Sequence, residues 1–172
     1  MSEDKYRKLY VIQQVFASIL SLSNKLQAKG DEYCKDITSR QLMTIMSILH
    51  IPDGKATVNN IAKKLTSTKQ STKHIINSLE KKKYVEIEPS TLDKRAVNVR
   101  VTDLGKEITI KALVSANNFL DNAFSTLTLE EVETLWLLLK KLYCFDGNKM
   151  DGFEENVDYK LLDIKDEKER RN

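Results

Sequence analysis

Residues 57–102 read TVNNIAKKLTSTKQSTKHIINSLEKKKYVEIEPSTLDKRAVNVRVT. Two short helical patterns come first, Thr57 to Leu65 and Ser67 to Lys82, with a tight turn between them. An alternating stretch follows, Tyr84-Val85-Glu86-Ile87-Glu88, then a tip from Pro89 to Arg95 and a returning Ala96-Val97-Asn98-Val99-Arg100-Val101. Period-2 alternation on both arms with Pro and Ser at the tip predicts a β-hairpin. Helix, turn, helix and hairpin in this order are a helix-turn-helix with a wing, a shape that seats on duplex DNA.

The second helix carries most of that reading. Ser67-Thr68-Lys69-Gln70 predicts a capping box at its start. Leu65, Thr72, Ile76 and Leu79 recur at helical spacing with Ile75 on the flank, so one stripe faces a core. The opposite face presents Lys69, Gln70, Lys73, His74 and Asn77, which donate hydrogen bonds to bases and phosphates. Thr68, Ser71 and Lys81 complete the candidate DNA-contacting set on this helix. Taken alone, such a face is also what any solvated amphipathic helix shows.

Charge separates the two readings. From Asn59 to Arg100 there are ten Lys or Arg against four acids, a local +6 in a chain whose net charge is +3. Cations concentrated on one module gain affinity for a polyanion by releasing its condensed counterions. At the hairpin tip, Asp93, Lys94 and Arg95 are further candidates. Arg suits a narrow minor groove, where the potential is most negative, and Asp93 can hold it extended. The competing reading of Asp93 and Arg95 is a surface ion pair of little energetic consequence.

The run from Ile37 to Ile108 resembles the MarR family of winged-helix regulators. The resemblance is carried by Ile37-Thr38-Ser39-Arg40-Gln41, Ile61-Ala62-Lys63-Lys64-Leu65, Ser71-Thr72, Leu79-Glu80-Lys81-Lys82, Asp93-Lys94-Arg95-Ala96-Val97 and Val101-Thr102-Asp103-Leu104-Gly105-Lys106. The D-x-R wing followed by a strand and T-x-x-G-K is the more specific part. The resemblance implies a homodimer on a pseudo-palindromic double-stranded DNA operator, with the second helix in the major groove and Arg95 in the minor groove. It also implies release by a small-molecule effector or an oxidant, and a repressor role. One position departs: where the family has Gly after the recognition helix, this chain has Lys83, which is expected to take the left-handed conformation at slight strain.

The flanks extend the plan. Asp4 to Lys29 is a long amphipathic pattern that Gly30-Asp31 is expected to end. Thr38 to Gln41 is a second capping box, and Ala56-Thr57-Val58 a candidate short strand beside the wing. A long helix is expected from Thr102, and another is capped by Thr128-Leu129-Glu130-Glu131. These terminal helices hold more apolar residues than a small winged helix needs covered, which points to a second copy; a larger monomeric core is the alternative. The expected organisation is 1–36, a dimerisation helix and linker; 37–101, the winged helix-turn-helix; 102–145, dimerisation helices; and 146–172, a charged tail. The fold class is mainly α with a small β-hairpin wing. The tail carries nine acids and six bases, and its Leu161, Leu162 and Ile164 fit either a docked helix or disorder.

Other functions find little support. The chain of 172 residues has only His50 and His74, five glycines, and no zinc-protease, phosphate-loop or nucleophile-elbow motif, so no enzyme and no cofactor are expected. No apolar run approaches the roughly 18–20 residues of a membrane span, and no signal peptide is evident, so a cytoplasmic location without membrane contact is expected. Cys34 and Cys144 lack metal-ligand spacing. Cys34 is either a buried structural thiol or an oxidant sensor whose thiolate a nearby Lys35 would favour. The resemblance implies a ligand crevice between terminal helices and winged helix, near Phe16, Tyr33, Met43, Met46 and Trp136; the alternative for these residues is apolar core. The alternative to a DNA-binding regulator is a winged-helix module for protein–protein assembly.

Overall fold

A computed structural model describes residues 3–89 and 97–148. Among the described residues, six helices and one hairpin follow in order: α1 Glu3–Tyr33, α2 Ser39–His50, α3 Val58–Lys64, α4 Lys69–Lys81, β1 Val85–Pro89, β2 Val97–Val101, α5 Asp103–Phe124 and α6 Leu129–Tyr143. A short 3-10 turn, Cys144–Asp146, continues α6. The strands pair antiparallel with Val85 opposite Val101 and Ile87 opposite Val99. This is the helix-turn-helix and wing that residues 57–102 predict. Most of the charged tail, with Leu161, Leu162 and Ile164, lies outside the described residues.

The core lies within the winged helix. Ile45 of α2, Ile61 of α3, and Ile76 and Leu79 of α4 are essentially inaccessible, and Val85, Val99 and Val101 close the core from the hairpin side. The predicted stripe of α4 is buried at Thr72, Ile76 and Leu79. Apolar burial of this kind contributes about 25 cal/mol per Å² and gives α4 its orientation.

Caps set most helix starts. Thr38 and Gln41 form the expected capping box at α2, and Thr128 and Glu131 another at α6. At α4 the cap differs from expectation. Thr68, not Ser67, accepts from the Ser71 backbone N–H at 3.1 Å, and no box closes through Gln70. Ser67 belongs instead to the end of α3, where its N–H donates to the Ala62 carbonyl at 2.9 Å.

Two further expectations are corrected. Gly30 does not stop α1, which runs on to Tyr33. Gly30 is buried where α1 crosses the start of α2, and a Cβ there would stand 2.7 Å from Ser39 Oγ. The residue serves a close crossing, not a helix end, and Asp31 beyond it accepts the Ser39 backbone N–H. The strand at Ala56–Val58 is reduced to a single bridge, Thr57 to Asn98, with the Val99 N–H donating to the Ala56 carbonyl at 2.9 Å. Thr57 then turns away to cap α3.

Lys83 takes the left-handed conformation expected of it, with φ +62°. Its N–H donates to the Glu80 carbonyl and the Tyr84 N–H to the Leu79 carbonyl, which closes α4 in a Schellman motif. Thr102 locks the junction by donating its hydroxyl to the Lys83 carbonyl at 2.7 Å while accepting from the Gly105 N–H at 3.0 Å. Gly105 is needed here for space, because a Cβ would fall 2.0 Å from the Tyr84 carbonyl oxygen.

The terminal helices contrast with this interior. Gly30 is the only buried residue of α1, and α6 has none. Phe16 is 64% exposed, Leu137 64% and Leu138 59%. Among the described residues no helix is long and apolar enough to cross a membrane.

Candidate nucleic-acid interface

The first two turns of α4 stand clear of the protein. Thr68, Lys69, Gln70, Lys73, His74 and Asn77 are exposed, Lys81 is exposed at the far end, and Ser71 is half-buried at the edge. Thr72, Ile76 and Leu79 hold the opposite side against α2 and α3, so the donor-rich face is the one left to solvent. The expected stripe and face are therefore both present, in the expected relation. Thr68 has a double task. Its oxygen caps the helix, and its hydroxyl proton stays available to an outside acceptor.

Not every cation of the segment contributes to that face. Lys82 Nζ donates to the Asp36 carbonyl at 2.9 Å and to Gln41 Oε1 at 3.2 Å, while Gln41 Nε2 donates to Ser78 Oγ at 3.0 Å. Lys82 thus ties the end of α4 to the entry of α2. Arg100 on β2 pairs with Glu86 and lies 3.4 Å from Glu88 across the hairpin. Its charge is matched locally, which a bare count of cations does not show. Asp93, Lys94 and Arg95 lie outside the described residues.

The helix-turn-helix turn is itself unusual. Thr66 has φ +49°, a left-handed conformation in a β-branched residue. Its N–H donates to the Lys63 carbonyl, and with the Ser67 bond it forms a second Schellman closure. Its hydroxyl shares a hydrogen bond with the hydroxyl of Tyr143 at the end of α6. Sequence spacing gives no hint of this contact, since 77 residues separate the partners.

Behind the turn lies a cleft of about 570 Å³ between α1, α2 and the start of α4, lined among others by Gln27, Arg40, Met43, Leu65, Thr66 and Ser71. Arg40 Nε donates to Gln27 Oε1 at 3.1 Å across its floor. Of the residues expected at a ligand crevice, Met43 lines this cleft. Tyr33 lines a second recess of about 170 Å³ beside Cys34 and packs at a tilt against Phe119 with ring centroids 5.3 Å apart. Phe16 and Trp136 line neither and are exposed on α1 and α6, and Met46 packs against the core. Arg40 and the turn hydroxyls escape sequence reasoning because only the folded crossing of α1 and α2 brings them together.

Cys34 is buried, with Sγ 3.8 Å from the Ala112 carbonyl. Burial pushes its thiol pKa up, and the Asp31 carboxylate pushes the same way. That shift runs opposite to the one a neighbouring Lys35 would cause, and it disfavours the reactive thiolate. Among the described residues no cluster of metal-ligating side chains occurs.

The arrangement has known counterparts. The model of the MarR family matches residues 35–96. An uncharacterized HTH-type transcriptional regulator, YwhA of Bacillus subtilis (strain 168), is 26% identical over 89 residues, 52% of this chain. The match spans 64% of that relative's length. Among solved structures, a mutant of MarR from E. coli complexed with operator DNA superposes with a TM-score of 0.68 at 28% identity, covering 76% of this chain and 94% of that one. The S. aureus MepR–DNA complex superposes with a TM-score of 0.66 at 24% identity, covering 73% and 93%.

Proposed function

We propose that the chain is a MarR-family winged-helix protein and a dimeric, sequence-specific regulator of transcription that represses by occupying a pseudo-palindromic operator. The observation that carries the proposal is the split face of α4. Its apolar stripe is buried, while Lys69, Gln70, Lys73, His74 and Asn77 project unobstructed from the helix start. A helix of this width enters the major groove with its N-terminal residues against base edges. Gln70 is the base reader, because its amide pairs with both the donor and the acceptor edge of adenine. Lys81, farther along, is a phosphate contact, and Arg95 is assigned to the minor groove by the family resemblance. Asp93 and Lys94 accompany it on the wing.

The terminal helices support dimerisation. The exposed apolar residues of α1 and α6, with those of α5, form more surface than a monomer leaves in water. A second copy covers them, and two-fold symmetry then presents two α4 helices to two half-sites. The cleft behind the helix-turn-helix turn is the place for a small effector, whose entry would shift α4 against α1 and α2. The buried, raised-pKa Cys34 argues for a ligand over an oxidant at that thiol.

The test is fluorescence-anisotropy binding of the full chain to duplex from the DNA flanking its own gene, against a scrambled duplex, across a salt series. Preferential binding, two protomers per site and a steep salt slope support the proposal. The combined substitution Lys69→Ala, Gln70→Ala, Lys73→Ala and Arg95→Ala should abolish preference while leaving the dimer folded. Retained preference in that variant overturns the assignment of the reading face. Absence of binding at low salt, with no ligand present, returns the winged helix to a role in protein assembly.

A further inference from the structure

We infer that Tyr143 is a positioning residue: through the hydroxyl of Thr66 it ties the end of α6 to the helix-turn-helix turn, and so fixes the distance between the two recognition helices of the dimer. The inference rests on the dimeric DNA-binding reading. Three observations meet at this contact.

The first is the turn itself. Thr66 is held at φ +49°, where glycine would sit without strain. Strained residues mark places where surrounding structure imposes a conformation for a purpose. What threonine adds over glycine here is a side chain, and its hydroxyl is engaged by Tyr143. Only Ser67 and the cap Thr68 separate Thr66 from the first turn of α4. Any shift of Thr66 therefore passes directly to the base-reading residues.

The second is the independence of α6. None of its residues is buried, and the 3-10 turn that continues it is its most closely packed neighbour. Among the described residues, the core thus does little to hold α6 in place. In a dimer, the partner's terminal helices would hold it. A hydrogen bond from α6 to the turn then refers the recognition helix to the dimer lobe, and not only to its own winged helix.

The third is the location of Tyr143 at the last residue of α6, followed by the 3-10 turn Cys144–Asp146 and then Gly147, which turns the chain away at φ +83°. The hydroxyl is at the far end of a rigid side chain with few rotamers, so the tie defines a length. Half-sites recur at about one helical turn of DNA, roughly 34 Å, and a lobe free to rock would tolerate several spacings.

The experiment uses the full chain and a palindromic duplex that the wild-type protein selects from a random-sequence pool. Tyr143→Phe removes one hydroxyl and keeps the ring; Thr66→Val removes the other and keeps the β-branch. Binding is measured on the selected duplex and on versions with one base pair inserted or deleted between half-sites. Each single variant should lose up to roughly tenfold on the native spacing, because a lobe free to rock must be ordered when DNA binds, at a cost no larger than that of the two hydrogen bonds that had ordered it. Both should bind the altered spacings as the wild type does, so that spacing preference flattens. The double variant should be no weaker than either single, because one interaction has been removed twice. Sedimentation should show the same dimer throughout. Undiminished spacing preference in both singles, or additive losses in the double, overturns the inference while leaving the DNA-binding reading intact. A wild-type protein that selects no duplex overturns both.

Discussion

The winged helix and the terminal helices use the same apolar side chains to opposite effect. In the winged helix, Ile45, Ile61, Ile76 and Leu79 are sealed. In α6, Leu137, Leu138, Leu139 and Leu142 are all more than 40% exposed, and α1 presents Leu9, Ile12, Phe16 and Leu20 in the same way. Amphipathic periodicity creates both kinds of surface, but among the described residues only the first finds its cover. One region therefore closes a core, and the other is, on the proposed reading, a surface that a second copy completes.

The largest effect should come from placing a charge in the second region. Leu138→Glu buries an unpaired carboxylate in the proposed interface, at a cost of about 3–5 kcal/mol. The dimer should dissociate by at least about two orders of magnitude more readily by sedimentation equilibrium, with the winged helix still folded by far-UV circular dichroism. An unchanged dimer would place Leu138 outside the interface.

Truncating the first region should read differently. Leu79→Ala removes a fully buried side chain where α4 meets α2 and the hairpin, and should cost about 2–5 kcal/mol. That loss is intramolecular, so its increment in denaturant melts should be independent of protein concentration. The wild-type melting temperature itself should rise with concentration if folding and dimerisation are linked. A Leu79 loss that vanished at high protein concentration would erase the distinction between the two regions.

Much of this is legible in the sequence, and the failures have a common cause. Capping boxes at Thr38 and Thr128, the stripe of α4 and the conformation of Lys83 depend on residues a few positions apart. Local chemistry determines them. Gly30 misleads because a glycine after an amphipathic run signals a helix end, whereas the crossing that needs its small size involves Ser39 and Phe119 from other elements. The cap of α4 falls on Thr68 and not Ser67 because the closure of α3 claims Ser67 first. Lys82 counts as a cation for DNA until the fold brings Asp36 and Gln41 to it. The exposed face of α4 can be read from periodicity, but the cleft behind it and the Thr66–Tyr143 contact cannot, since their residues come from helices far apart in sequence.

The joint between winged helix and α5 offers a smaller effect. Gly105→Ala places a methyl group 2.0 Å from the Tyr84 carbonyl, which cannot move without disturbing the Schellman closure of α4. A cost of about 1–3 kcal/mol follows from such overpacking. Hydrogen exchange should show faster opening at Tyr84 and Thr102, on both sides of the joint. Protection unchanged at those amides would mean that α5 can withdraw freely from the wing.

The smallest effect should be a gain. Lys83 occupies a left-handed position at φ +62°, which costs a residue with a Cβ about 1–2 kcal/mol relative to glycine. Glycine there also loses more conformational entropy on folding, roughly 0.5–1 kcal/mol, and the two terms partly cancel. Lys83→Gly should therefore stabilise the winged helix by no more than about 1.5 kcal/mol, read as a small upward shift of the urea midpoint at unchanged slope. The same substitution removes an exposed cation at the end of α4. If Lys83 meets phosphate, DNA binding should weaken on every sequence alike and the salt slope should fall by about one unit. Greater stability with an unchanged salt slope would place Lys83 away from the DNA and limit its role to closing the helix. Greater stability with a shallower slope would explain what lysine offers at a position whose backbone favours glycine.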